Sequence, residues 1–253
     1  MSSSAEHYLG LAGARVVQTP ALLLSRRAIR DIISARALGV LHGPAGAGKT
    51  FAARQVLDEL KLAQAWVQFP SRPTMLHVAR RLYREVTGAD AGRANRFDLS
   101  EQLIELLTDH EWLLVVDEAQ WLNRECVEYL RHLHDHARTR FSLLLVGGDG
   151  CWRVLSREPM LRSRIYRRVQ FAPMPLAIVL DVIPGYHPIY ENARPSLLAL
   201  IDDCYAHGCF REWASFTHSA VALCHEQGGH ALTEEVARAI LELHAGGEVQ
   251  DAA

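Results

Sequence analysis

The stretch GPAGAGKT at residues 43–50 constrains this chain more than any other. It satisfies the spacing G-x-x-x-x-G-K-[ST], and it joins two segments of different character. Residues 38–41 before it form a short, mostly apolar run, read as a buried strand. Residues 50–60 after it lack glycine and proline and repeat apolar side chains at helical spacing. A strand, a glycine loop and a helix in that order turn backbone N–H groups and a helix N-terminus toward one point, which suits a polyphosphate. Gly43, Pro44, Ala45, Gly46, Ala47, Gly48, Lys49, Thr50 and Phe51 are therefore the candidate residues for binding ATP. Lys49 would serve the β- and γ-phosphates and the Thr50 hydroxyl would serve Mg2+. A chance glycine-rich turn would not carry these flanks.

The rest of the first 170 residues repeats the alternation. A second strand is expected at residues 65–69, ending at Pro70, followed by a helix with its stripe on Met75, Ala79, Leu82 and Val86. Residues 88–98 (GADAGRANRFD) are rich in loop formers. Asp98 and Glu101 then have capping-box spacing ahead of a Leu99, Leu103, Leu106 stripe. WLLVVDEAQ, from Trp112, is an apolar strand ending in two carboxylates, and Val127, Leu130, Leu133 and Ala137 mark the helix behind it. A further strand, FSLLLVGG, begins at Phe141. Apolar strands alternating with helices predict an α/β fold, a parallel sheet flanked by helices. Ligands bind such sheets at the carboxyl ends of the strands. Asp117 can hold Mg2+ there, with Thr50, while Glu118 orients and deprotonates the attacking water.

After Phe171 the prolines of APMP break the pattern, and only helical stripes follow. We place the ATPase domain at residues 1–172, with 1–15 a candidate flexible segment, and a small all-α lid at 173–253. Its last helix starts at Thr233 as N-cap and runs to about His244. DEAQ also resembles helicase motifs of the DEAD-box type, but the residues left after Phe171 are too few for the second domain those enzymes need.

Composition narrows the function classes. An apolar content of 49% supports a full core, and a formal net charge of −2 provides no overall basic field. Five scattered cysteines fit a reducing compartment. No run is long enough to cross a bilayer, and the start lacks a basic leader, so a cytoplasmic protein without membrane contact is expected. Cys204, His207, Cys209, Cys224 and His225 lack paired metal-ligand spacing and are read as core or surface residues rather than zinc ligands. Trp112, Trp121, Trp152 and Trp213 are read as packing residues.

DEAQWLN after GPAGAGKT, VGGD at residues 146–149, LRSRI at 161–165 and GCFREW at 208–213 together resemble the AAA+ ATPases that accompany DDE transposases, the TniB, MuB and TnsC group, with ExeA-like ATPases close by. The resemblance implies a P-loop AAA+ sheet followed by a helical lid. It also implies further site residues. AAA+ proteins place a polar sensor, usually Asn, Ser or Thr, at the end of the strand after the Asp-Glu pair. Gly147 and Gly148 stand there in this chain, so Asp149 is the nearest polar candidate, or else a plain turn aspartate. Arg164 resembles the arginine finger offered to a neighbour's γ-phosphate, with Arg162 as the alternative. Otherwise it belongs to a basic surface cluster with Arg157, Arg167 and Arg168. Arg211 matches the second sensor of the lid.

A site completed between subunits implies a homo-oligomeric ring or filament. The resemblance further implies assembly on double-stranded DNA in the ATP state, recruitment or activation of a transposase, and release after hydrolysis. Arg93, Asn95 and Arg96 in the 88–98 loop are the candidate DNA contacts, with Arg80 and Arg84 behind them. Such contacts reach phosphates and carry little sequence information. A solvated helix face is the plain alternative. Two rival readings stand beside this one: an ATPase that remodels a protein assembly without DNA, and a scaffold for which ATP only sets shape.

Overall fold

The computed structural model describes residues 8–60, 62–69, 71–226 and 228–251, with side chains described to residue 244. Pro70 and residues 1–7 of the expected flexible segment lie outside them. The chain forms two compact units. One comprises the described residues of Leu23–Ala45 and Ala52–Phe171; the described part of the other comprises residues 8–22, Gly46–Phe51, 172–226 and 228–251.

The first unit is an α/β layer structure. In chain order it uses α1 (Pro20–Ala35, from Leu23 onward), β1 (Leu38–His42), α2 (Lys49–Glu59, from Ala52 onward), β2 (Ala63–Gln68), α3 (Met75–Thr87), α4 (Arg96–Leu106), β3 (Trp112–Asp117), α5 (Arg124–Asp135), β4 (Phe141–Gly147), α6 (Cys151–Ser156), α7 (Pro159–Arg162) and β5 (Ile165–Gln170). The sheet order is β2-β3-β4-β1-β5 and every pairing is parallel. Burial explains the composition of each strand. All of β1 and β4, and β3 from Leu113 onward, are buried, so these strands are almost wholly apolar. The edge strands β2 and β5 bury only some positions.

β5 is a strand that sequence patterning did not show. IYRRVQ carries two adjacent arginines, and only an edge position admits them: Ile165 packs against the core and Val169 is buried, while Arg167 and Arg168 turn to polar partners. Arg167 Nε donates to Asp31 at 2.9 Å, and the guanidinium holds that carboxyl below the usual carboxylate range. Three further expectations need correction. The capping box of α4 is formed by Asn95 and Asp98, one turn earlier than Asp98 and Glu101, so Arg96 is helical rather than part of the loop. Ala137 lies past the end of α5 and is exposed, so that stripe stops at Leu133. Trp121 is 43% exposed rather than packed.

His134 on α5 carries a pH dependence. Its Nε2 lies 3.0 Å from the Arg36 carbonyl, and its ring meets Phe141 edge-on. Burial holds the imidazole below its ordinary pKa, against the opposing pull of that carbonyl and of Asp135. The folded chain thus prefers neutral His134. Above a pH of about 6.5 the residue is neutral in both states and contributes nothing. As the pH falls below that value the unfolded chain protonates first and stability is lost. Urea unfolding at pH 7.5 and 5.5 should show a larger acid loss for the parent than for His134→Gln. Equal losses would refute the assignment.

The second unit contains α8 (Leu176–Tyr186), α9 (Pro195–Ile201), α10 (Phe210–Glu226) and α11 (Glu234–Asp251). Thr233 caps α11 through its hydroxyl, which accepts from Val236 N–H at 3.2 Å. The core gathers Val179, Ile183, Tyr190, Ile201, Trp213 and Phe216. A single π turn, Asp202–Ala206, follows α9. Buried Asp202 there organises the start of α10: its Oδ1 accepts from Gly208 N–H at 2.8 Å and from Trp213 Nε1–H at 3.1 Å. Residues 8–15, read from the sequence as part of a flexible segment, are held in this unit. Leu11 joins its core and Arg15 N–H donates to the Tyr186 carbonyl at 2.7 Å.

Candidate functional site

Parallel strands deliver their carboxyl ends to one edge of the sheet. His42 of β1 is in register with Gly147 of β4, and Val116 of β3 is in register with Leu145 of β4. The phosphate loop therefore leaves β1 on the same edge as Asp117 and Glu118 leave β3, with only β4 between. At a strand spacing of about 4.8 Å, the two exits are roughly 10 Å apart. That distance suits a triphosphate with its cation.

The loop itself has the expected conformation. Gly46 and Gly48 have φ of 75° and 89°, values that turn successive N–H groups inward and that side chains rarely adopt. Lys49 opens α2 and is only 8% exposed. Thr50 and Phe51 complete its first turn and are half-buried. Gly46 is also required by a close approach: a Cβ there would lie 2.7 Å from Cys209 Sγ and 2.8 Å from Arg211 Cβ. Within the same unit the Arg211 N–H donates to the Gly46 carbonyl at 3.1 Å, so the predicted lid arginine stands at the loop. Its guanidinium lies 5.5 Å from the centre of the Tyr8 ring.

Asp117 closes β3 and is 4% exposed. Its Oδ1 accepts the Glu118 N–H at 2.9 Å. The Thr50 hydroxyl and the Asp117 carboxylate are hard oxygen donors, the chemistry that Mg2+ takes. Glu118 is held in the left-handed region, at φ 56° and ψ 39°. For a residue with a Cβ that conformation costs on the order of 1–2 kcal/mol, and the single 3-10 turn Ala119–Trp121 that follows keeps it in place. The Glu118 carboxylate accepts a hydrogen bond from Gln120 Nε2, and Gln120 Oε1 accepts the Gly148 N–H at 2.8 Å. Sequence reasoning gave Gln120 no role, because its second partner lies 28 positions away. The available signal was the pair of glycines where a polar sensor belongs.

The other candidates are dispersed. Asp149 is exposed in the turn before α6. Arg164 is half-exposed and paired with Asp135 at 3.2 Å. The basic surface cluster given as the alternative to the finger is not a shared patch: Arg168 Nε donates to His42 Nε2 at 2.7 Å and its guanidinium stacks over Trp152. On the other flank, Arg80 Nη2 donates to the Ala94 carbonyl at 3.4 Å, which brings α3 and the 88–98 loop together. Arg93 is exposed there, the Asn95 side chain caps α4, and Arg96 stacks on the exposed ring of Phe97 at 4.1 Å. Among the described residues no group of three or more His, Cys, Asp or Glu could hold a metal ion, and no helix is long and apolar enough to cross a membrane.

Residues 30–155 match the family model of the AAA domain. With the parallel sheet and the glycine loop that follows β1, the chain has the P-loop AAA+ fold. Solved structures agree on that fold. The chain is similar to the Aeropyrum pernix ORC2 protein solved in ADPNP-ADP complexes, with a TM-score of 0.68 and 20% identity over 88% of this chain and 66% of that one. The Aeropyrum pernix ORC1 protein in complex with DNA gives 0.67 and 18%, over 90% and 66%. The Thermotoga maritima RuvB Holliday junction branch migration motor gives 0.62 and 15%, over 90% and 70%. The chain thus spans slightly less than two thirds of the ORC proteins. Comparison with curated protein sequences gives no match.

Proposed function

We propose that this chain is an ATPase and a DNA-binding regulator of transposition. It assembles as a ring or filament on duplex DNA in its ATP state, recruits or activates a transposase in the cytoplasm, and leaves after hydrolysis. In this reading residues 1–172 are the ATPase domain and 173–253 its helical lid. The loop N–H groups and Lys49 bind the phosphates, with Thr50 and Asp117 as the residues that would hold Mg2+. Magnesium, when bound, supplies charge neutralisation at the β- and γ-phosphate oxygens. Glu118 takes the proton of the attacking water. Asp149 is the sequence candidate for the first sensor. Arg164 exchanges Asp135 for a neighbouring subunit's γ-phosphate, and Arg211 of the lid reads the γ-phosphate bound in its own subunit.

The DNA reading is supported by one observation, the Arg80 hydrogen bond to Ala94, which sets Arg80 beside the loop that carries Arg93 and leads into Arg96 at the start of α4. A likeness in fold to a protein solved with DNA supports it. Each arginine would contribute a phosphate contact, so binding should be salt-dependent and weakly sequence-specific. Duplex affinity with ATP, titrated across salt, is expected to drop for Arg93→Ala with Arg96→Ala, and the log-log salt slope to fall by about two. An unchanged slope would remove these residues from the interface. Absence of any ATP-dependent DNA binding at low salt would leave the protein-remodelling reading.

A further inference from the structure

We infer that Gln120 is the positioning residue for Glu118, and that it supplies from the β3 side the polar contact that the glycines at the end of β4 do not. The inference rests on the reading of Glu118 as the base and deepens it.

Three observations carry it. First, Gln120 is hydrogen-bonded at both ends of its amide: Nε2 donates to the Glu118 carboxylate and Oε1 accepts the Gly148 N–H at 2.8 Å. This polarity also settles which way the amide points, since only the oxygen can accept from a backbone N–H and only the nitrogen can donate to a carboxylate. Second, the space that a sensor side chain would fill is taken. A Cβ on Gly147 would collide with Cys151 Sγ and lie 2.8 Å from Gln120 Oε1. Gly147 is thus the counterpart of Gln120, and a polar residue introduced there would displace the amide. Third, Glu118 sits in a left-handed conformation that leaves its side chain without a standard helix or strand to direct it. A carboxylate on such a backbone needs an external constraint to face one direction, and misplacement of a catalytic group by about 1 Å can cost on the order of a hundredfold in rate.

The arrangement links Glu118 to the end of β4, which neighbours β1 and the loop it feeds. Gln120 touches no reacting atom in this scheme. It holds the Glu118 oxygens, so its loss should appear in turnover and not in nucleotide affinity.

The test compares the parent chain with Gln120→Ala, Gln120→Glu, Glu118→Gln and the Glu118→Gln, Gln120→Ala double variant, by steady-state ATPase and by MgATP titration. Gln120→Glu matters because it keeps the shape and the acceptor for Gly148 while removing the donor to Glu118. Both single changes at Gln120 are expected to lower kcat about 10- to 100-fold with affinity for MgATP within about threefold. In the Glu118→Gln background, Gln120→Ala should add less than about twofold, because the group it positions is already disabled. Parent-like kcat in Gln120→Ala, or a loss of affinity as large as the loss of kcat, overturns the inference. So does a full additional loss in the double variant, which would mean that Gln120 acts elsewhere. Glu118→Gln at parent turnover instead overturns the reading of Glu118 itself, and the positioning role with it.

Discussion

Glu118→Gln should bind MgATP with nearly the parent affinity and hydrolyse it about 10²- to 10⁴-fold more slowly. The substitution is isosteric and keeps an acceptor for Gln120, but an amide cannot take a proton from water. Its environment argues against a merely structural role. Glu118 follows buried Asp117 at the end of a parallel strand, and it occupies a backbone conformation that a side chain adopts only under constraint. The sheet's carboxyl edge is where the phosphate loop also begins, so a water held by Glu118 would lie on the γ-phosphate side of the bound nucleotide. Single-turnover hydrolysis with a parallel binding titration separates the outcomes. A variant that hydrolyses ATP at the parent rate would remove Glu118 from the chemistry and shift the search to Asp149 or to a residue from a neighbouring subunit.

Trp213→Ala should destabilise the helical unit by about 3–5 kcal/mol. Trp213 is fully buried, meets Tyr190 edge-on at 5.9 Å between ring centres, and donates its indole N–H to Asp202 at 3.1 Å. Removing the ring opens a cavity and takes one donor from a buried carboxylate, so transfer, packing and polar losses act in the same direction. The consequence for function is indirect. Asp202 also receives the Gly208 N–H at the turn that begins α10, the helix that carries Arg211. Chemical denaturation followed by circular dichroism should show the loss, and Trp213→Phe should recover part of it by refilling the volume. A change below about 1 kcal/mol would mean that the site collapses around the missing ring or that the indole is not packed as described.

Much of this was legible in the residues alone. The strands β1, β3 and β4 announce themselves because burial on both faces demands unbroken apolar runs, and GPAGAGKT announces the loop because its chemistry depends on backbone freedom rather than on distant partners. β5 was hidden for the converse reason: an edge strand needs only part of its surface to be apolar, and two arginines in IYRRVQ mask that minimal signal. The start of α4 was displaced by a turn because Asn95 and Asp98 both read as caps, and only the hydrogen bonds distinguish the cap from the third helical residue. The basic cluster after Arg157 read as one patch, since spacing along the chain says nothing about which acid each arginine meets.

Local chemistry determined what the sequence by itself could state: the fold class, the glycine loop with Lys49 and Thr50, and the acidic pair at the end of β3. These are written in contiguous residues, and their meaning survives without knowing what packs against them. Tertiary structure alone decided that Gln120 joins Glu118 to Gly148, that Gly147 cannot carry a side chain, that Arg168 turns to His42, and that Arg211 meets the carbonyl of Gly46. Each of these joins residues distant in the chain, and a hydrogen bond a few ångströms long leaves no periodicity in the sequence that connects them.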